Sequence, residues 1–225
     1  MSLLVYKDAN GFVLTSPDGE TLKKVVDNSY YSYPSWSPDG HWIAFTYVYS
    51  PQSNHQNTEI ALIRSDGDDL TFVTRGPYSK SWSSFSPDGK LIVYAESADG
   101  HTNDLVITRV DGSYIWKLTN MPLTEVLPIW SPDGKKVAFL HDLESSDYPK
   151  YYLFMIDVSN QKWSQVGDFP ILGGMDWSPD GKQIVVTLEE HQKCGQIYVV
   201  DETGNNLRKV VDFPGCTESP RWSPD

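Results

Sequence analysis

The pentapeptide Trp-Ser-Pro-Asp-Gly occupies residues 36–40, 130–134 and 177–181, and Phe-Ser-Pro-Asp-Gly occupies 85–89. A further copy, Trp222-Ser223-Pro224-Asp225, stands at the end of the chain. The serines at 37, 86, 131, 178 and 223 are spaced by 49, 45, 47 and 45 residues, which constrains the fold more than any other feature. A period near 45 made of short strands and turns marks propeller blades of four strands each. Composition agrees: 16 Gly, 15 Pro and 13% aromatic residues favour strands joined by tight turns over helices.

Each unit reads strand by strand. Strand A ends at the motif aromatic, and Ser-Pro-Asp-Gly supplies a turn, with Pro presetting φ and Gly tolerating positive φ. Strand B follows as Trp42-Ile43-Ala44-Phe45, Leu91-Ile92-Val93-Tyr94, Lys136-Val137-Ala138-Phe139 and Gln183-Ile184-Val185-Val186. Strand C runs Ile60–Ile63, Leu105–Thr108, Leu153–Ile156 and Ile197–Val200, closing at Asp66-Gly67, Asp111-Gly112, Ser159-Asn160 and Thr203-Gly204. Strand D places apolar residues three positions after that turn (Leu70, Ile115, Trp163, Leu207) and six after it (Val73, Leu118, Val166, Val210). Agreement of turn chemistry with hydrophobic pattern in four consecutive units is consistent with one fold.

The ends fit the same period. Leu3–Tyr6, Phe12–Thr15 with Asp18-Gly19, and Leu22 with Val25 match strands B, C and D, while 217–222 match a strand A without its blade. The expectation is an all-β chain, a five-bladed β-propeller of four-stranded antiparallel blades. Its ring would be closed by the C-terminal strand A joining strands B, C and D from the N-terminus. A single domain over 1–225 would hold blades at 217–225 plus 2–27, 30–75, 80–120, 125–168 and 172–213. The competing expectation is a piece excised from a longer ring.

The unit (Trp/Phe)-Ser-Pro-Asp-Gly-(Lys/His), an apolar strand, a second strand closing at Asp-Gly and a third ending Leu118-Thr119 resembles the TolB-type, WD-repeat-like β-propeller repeat. The resemblance covers essentially the whole chain. It implies a propeller that docks peptides and partner proteins at its central channel, in the periplasm or outside the cell. Similar repeats sit in propellers attached to prolyl-peptidase-type proteases and in some sugar-acting lyases. The family's namesake carries an N-terminal domain and six blades, where this chain reads as five without that domain.

Function is expected where the repeats differ. The aromatics Trp36, Phe85, Trp130, Trp177 and Trp222 recur in every unit, which assigns them to packing between sheets. Asp39, Asp88, Asp133, Asp180 and Asp225 recur likewise and are expected as turn-formers. The segments just before the motif aromatic share no side-chain pattern, and they would line one face of the scaffold. Candidate binding residues there are Tyr31, Tyr33 and Trp82 as apolar platforms, with Glu125, Asp176, Glu218 and Arg221 orienting polar groups. Tyr33 and Trp82 are equivalent, three residues before the aromatic; Asp176 and Arg221 are equivalent, one before it, and could pair.

His55, His101, His141 and His191 fall in B–C loops with Asp99, Asp142, Glu144, Glu189 and Glu190, and are weak candidates for a divalent metal because no tight ligand spacing appears. Cys194 and Cys216 map to one end of the same hairpin, either as a disulfide or as two free thiols. The sequence lacks Gly-x-Ser-x-Gly, His-Glu-x-x-His, a Gly-rich phosphate loop and Cys-x-x-Cys, so no catalytic residue or cofactor is expected. A net charge of −12 argues against nucleic acid and favours cationic partners. No apolar run reaches membrane-spanning length and no signal peptide precedes the first strand, so no membrane insertion is expected. The leading expectation is a non-catalytic propeller recognising a peptide or protein. The alternatives are a metal-assisted carbohydrate-active lyase or glycosidase, and the propeller portion of a larger protein.

Overall fold

The Ser-Pro-Asp-Gly segments fold as self-contained hydrogen-bonded turns. In the computed structural model, which describes residues 4–8, 11–15, 21–26, 31–48, 58–113, 115–144, 150–190, 194–210 and 215–223, four of them are alike. Ser37, Ser86, Ser131 and Ser178 donate their hydroxyls to the Asp two residues on at 2.5–2.7 Å. The same oxygens accept the amides of Trp42, Leu91, Lys136 and Gln183, five positions on, at 2.9–3.0 Å. The closing glycines adopt φ of 68–70°, a region that disfavours any Cβ. Serine hydroxyls, and then the amide two residues beyond each Asp, hold the carboxyls of Asp39, Asp88, Asp133 and Asp180 below the usual range. These aspartates therefore form turns, and Asp225 lies outside the described residues.

The turns join strands into antiparallel sheets, and the chain divides into two compact units, Met1–Asn120 and Met121–Asp225. The first unit holds three sheets. β1 (Leu4–Asp8), β2 (Gly11–Thr15) and β3 (Thr21–Val26) make one of three strands. The second runs β4 (Tyr31–Trp36), β5 (Trp42–Val48), β6 (Thr58–Arg64) and β7 (Thr71–Phe72) in chain order. The third repeats that order with β8 (Ser79–Phe85), β9 (Leu91–Ser97), β10 (Asp104–Arg109) and β11 (Ile115–Lys117). These are the four-stranded blades that the repeat predicts.

The middle strands of the second sheet explain why strands B and C are almost wholly apolar. Side chains alternate across a strand, so a sheet covered on both faces needs apolar residues at every position. Ile43, Phe45, Ala61 and Ile63 pack on Phe12 of the first sheet, with Val5, Trp36 and Tyr47 around them. Ala44, Ile60 and Leu62 point the other way, onto Phe85, Ile92, Tyr94 and Val106 of the third. Burying each large side chain contributes about 1.5–3 kcal/mol. In strand D of the second and third sheets only the later apolar position is used this way: Val73 and Leu118 are buried, whereas Leu70 and Ile115 are exposed. The threonines that end strand D cap strand C, Thr74 and Thr119 accepting the amides of Ile60 and Leu105 at 2.9 and 2.7 Å.

The second unit departs from the expected pair of separate blades. β12 (Glu125–Trp130), β13 (Lys136–Asp142), β14 (Tyr151–Asp157), β15 (Trp163–Trp177), β16 (Gln183–Glu189), β17 (Gly195–Asp201) and β18 (Arg208–Lys209) form one seven-stranded sheet. β15 is strand D of one repeat running without a break into strand A of the next. Gly167, at φ 72°, turns the chain within it, and the strand stays paired to β14 as far as Ile171 while taking up β16. Residues 217–222, expected as a strand A, belong to no described strand. They are fastened to their own unit: the Thr217 amide donates to the Gly195 carbonyl at 2.8 Å, and the Trp222 amide to Asp176 Oδ2 at 3.0 Å.

Candidate functional site

Every described strand A of the repeat contains the same backbone irregularity. Tyr33, Trp82, Leu127, Gly174 and Ser219 have φ of 55, 55, 53, 45 and 53°, and each stands three residues before a motif aromatic. In the four that are paired strands, the register to strand B slips there, between Ser32 and Ser35, Ser81 and Ser84, Val126 and Ile129, and Gly173 and Met175. This is a β-bulge, the device that re-aims a side chain out of a regular ladder. Its sequence signals are Pro34, Pro128 and Pro220, each directly after the left-handed residue, because proline inside a sheet is confined to edges and bulges. Gly174 is a further signal.

The bulge carries aromatic residues at two places, both in the first unit. A left-handed conformation costs a non-glycine residue about 1–2 kcal/mol. Burial does not offset that cost at Tyr33, whose side chain is 49% exposed. Its ring instead meets Trp82, with centroids 5.5 Å apart and planes at 52°. Tyr31, the third expected platform, begins β4, and its side chain lies outside the described residues.

Beneath Trp82, two residues earlier in β8, Lys80 is buried at 3% exposure and pairs with the buried Glu59 of β6, Nζ to Oε2 at 3.3 Å. Glu59 also accepts the Thr74 hydroxyl at 2.5 Å and the Gly76 amide at 2.9 Å. The Lys80 ammonium donates to the Tyr78 carbonyl at 2.6 Å, and its amide donates to Thr58 Oγ1 at 2.9 Å. Strand A of one blade is thereby clamped to strand C of the blade before it, which fixes Trp82 relative to Tyr33. Neither member of this pair was among the expected site residues.

The second unit uses its expected residues differently. Glu125 opens β12 at 0% exposure, with Oε1 3.5 Å from Nδ1 of His141 on the neighbouring strand. Burial lowers the His141 pKa below 6.5, against the opposing effects of the Thr124 backbone and the Asp142 charge. Asp176 receives the amides of Trp222 at 3.0 Å and Trp177 at 3.1 Å, and stands 3.9 Å from the Arg221 guanidinium. Burial raises its pKa, with the Trp222 amide as the main opposing influence. Asp176 and Arg221 thus meet as neighbours, with the carboxylate tethering the C-terminal segment. Glu218 is exposed on that segment.

His101 is exposed beside Asp99, which accepts the His101 and Thr102 amides, each at 2.8 Å, as a loop-forming turn. His55 and His191 lie outside the described residues. Among the described residues, no group of three or more His, Cys, Asp or Glu side chains has the arrangement of a metal site. Cys194 and Cys216 are joined by a disulfide, with Cα atoms 4.8 Å apart. Among the described residues no helix is long and apolar enough to cross a membrane.

Antiparallel four-stranded units of this kind, repeated at the Ser-Pro-Asp-Gly turn, define the β-propeller class. A family model, the TolB beta propeller domain, matches residues 103–225, and the chain belongs to that family. The structure is similar to that of a TolB-type protein from Agrobacterium tumefaciens, with TM-score 0.76 and 20% identity over 99% of this chain and 82% of that one. It is also similar to an oligogalacturonate lyase solved with manganese, with TM-score 0.65 and 14% identity over 92% of this chain and 60% of that one. Both likenesses are of fold. An uncharacterized peptidase, YuxL, of Bacillus subtilis (strain 168) is 35% identical over 49 residues, which is 22% of this chain and 8% of that protein.

Proposed function

We propose that the chain is a non-catalytic binding propeller that receives a peptide or protein segment on the Tyr33–Trp82 pair. The observation that carries this reading is an aromatic pair held at strained backbone, with one ring half exposed. The left-handed bulge recurs in every repeat and belongs to the fold; what sets this place apart is that two neighbouring bulges carry aromatic side chains, and an aromatic body with a polar tip suits a contact surface. Membership of a TolB-type family supports protein binding at a coarse level. Glu218 and Arg221, both exposed, are the polar groups of the second unit open to a partner, whereas Glu125 and Asp176 serve the fold. The partner is a peptide or protein, with no nucleic acid and no cofactor required.

The repeat period further supports five blades. Removing 217–225 should weaken hydrogen-exchange protection around Gly195 and Asp176, to which the segment is bonded. For the binding role, affinity capture should be run in parallel with the wild type and a folded Tyr33→Ala/Trp82→Ala variant. Loss of specific partners from the variant is expected; an identical set from both would remove the aromatic platform. A second reading, the propeller part of a larger enzyme, is favoured by the 49-residue match to a peptidase, and the natural open reading frame decides it.

A further inference from the structure

We propose that the Tyr33–Trp82 pair takes a cation from its partner, the guanidinium or ammonium group of an arginine or lysine side chain, seated against the faces of the two rings. This rests on the binding role above and names the chemistry of the group recognised. The rings tilt by 52° rather than stacking, so the contact takes up at most one face of the pair. Aromatic faces are the negative part of the ring quadrupole and attract cations within about 6 Å of the centroid.

The surroundings share the sign. The chain carries a net charge of −12. In the sheet of Trp82, Lys80 stands opposite Glu96 and Glu96 opposite Asp104, with Glu59 reaching in from β6. Lys80 and Lys117 face these three carboxylates, Lys117 binding Asp104 at 2.6 Å. Burial raises the Glu96 pKa, with Lys80 as the main opposing influence. The nearest lysine along β8 does not supply the missing cation, because Lys80 Nζ is held by Glu59 and the Tyr78 carbonyl. The same chemistry is already used internally in this unit, where the Arg75 guanidinium sits 5.1 Å from the centre of the Phe72 ring.

The test compares three blocked tripeptides, acetyl-Gly-Arg-Gly-amide, its citrulline analogue and acetyl-Gly-Pro-Gly-amide, titrated into the full chain. Trp82 is followed through its indole N–H signal by nuclear magnetic resonance, assigned by its loss in Trp82→Leu. Citrulline keeps the shape of arginine without its charge. The arginine peptide is expected to move the Trp82 signal and to bind at least about 5-fold more tightly than the citrulline peptide. Tyr33→Leu, half exposed and so tolerant of exchange, should abolish that preference while the remaining spectrum stays dispersed. Equal binding of all three peptides would overturn the cation and leave the aromatic platform standing. Tighter binding of the proline peptide would overturn it in favour of an apolar groove. No shift with any peptide would overturn both the cation and the platform.

Discussion

The two units make the same kink in strand A of their repeats and fill it in different ways. In Met1–Asn120 the left-handed position holds Tyr33 and Trp82, whose rings lie against each other with one half open. In Met121–Asp225 it holds Leu127, Gly174 and Ser219, and a Cβ on Gly174 would come within 2.5 Å of Ser219 Cα. At Gly174 the bulge is a place where two backbones meet, with no room for a side chain. The position five residues before the motif aromatic diverges similarly: Lys80 forms a buried ion pair with the preceding blade, and Glu125 pairs within its own sheet with His141. A repeat can thus keep its turn and ladder chemistry constant while its strand A is free to become a surface or a seam.

The largest test of that contrast is Lys80→Met, which strands a buried carboxylate on Glu59. Urea unfolding should show a loss of about 3–5 kcal/mol, and the Glu59→Leu/Lys80→Met double variant should recover most of it. Next comes Gly174→Ala, expected to cost about 2–4 kcal/mol through strained φ and the clash with Ser219 and Pro220. The equivalent change Trp82→Ala should cost less than Gly174→Ala in the same assay; the reverse order would mean that both bulges serve packing. A smaller effect separates the buried pairs by pH. His141 has its pKa below the unfolded value of 6.5, so the unfolded chain takes up its proton first. Stability is full above pH 6.5 and falls as pH drops toward the lower folded value. His141→Phe should flatten that slope, read as melting temperature between pH 5 and pH 8. The smallest effect is Tyr33→Asn, which suits a left-handed backbone and should change stability by less than about 1 kcal/mol while removing the ring.

Much of the fold is legible in the residues. Ser, Pro, Asp and Gly each carry their part of the turn locally, and the apolar runs at 42–45 and 60–63 already say that the strand is covered on both faces. The equivalence of Tyr33 and Trp82 is also visible as a shared offset from the motif. Their left-handed backbone is harder to see, because the signals are scattered: Pro34, Pro128 and Pro220 follow the bulge in three repeats and Gly174 occupies it in another, while nothing marks it at Trp82. The Glu59–Lys80 clamp was not legible at all: its partners belong to different repeats, and nothing local distinguishes a paired lysine from a solvated one. The continuous strand Trp163–Trp177 escaped for a related reason. The break expected after 168 rested on the period of the other units, and Gly167 bends the chain there without ending its pairing.

The recurring turn also bears on how this protein ages. Among aspartyl dipeptides Asp-Gly is the most prone to succinimide formation, in which the glycine nitrogen attacks the aspartyl carboxyl carbon and the backbone emerges isomerised. In all four described turns that nitrogen is engaged by the serine carbonyl at 2.8–2.9 Å. The carboxyl group is also kept ionised by the serine hydroxyl, and so is a poor electrophile. The bonds that shape the loop also shelter its weakest linkage, and isoaspartate should accumulate at these sites only after the blade around them has come apart.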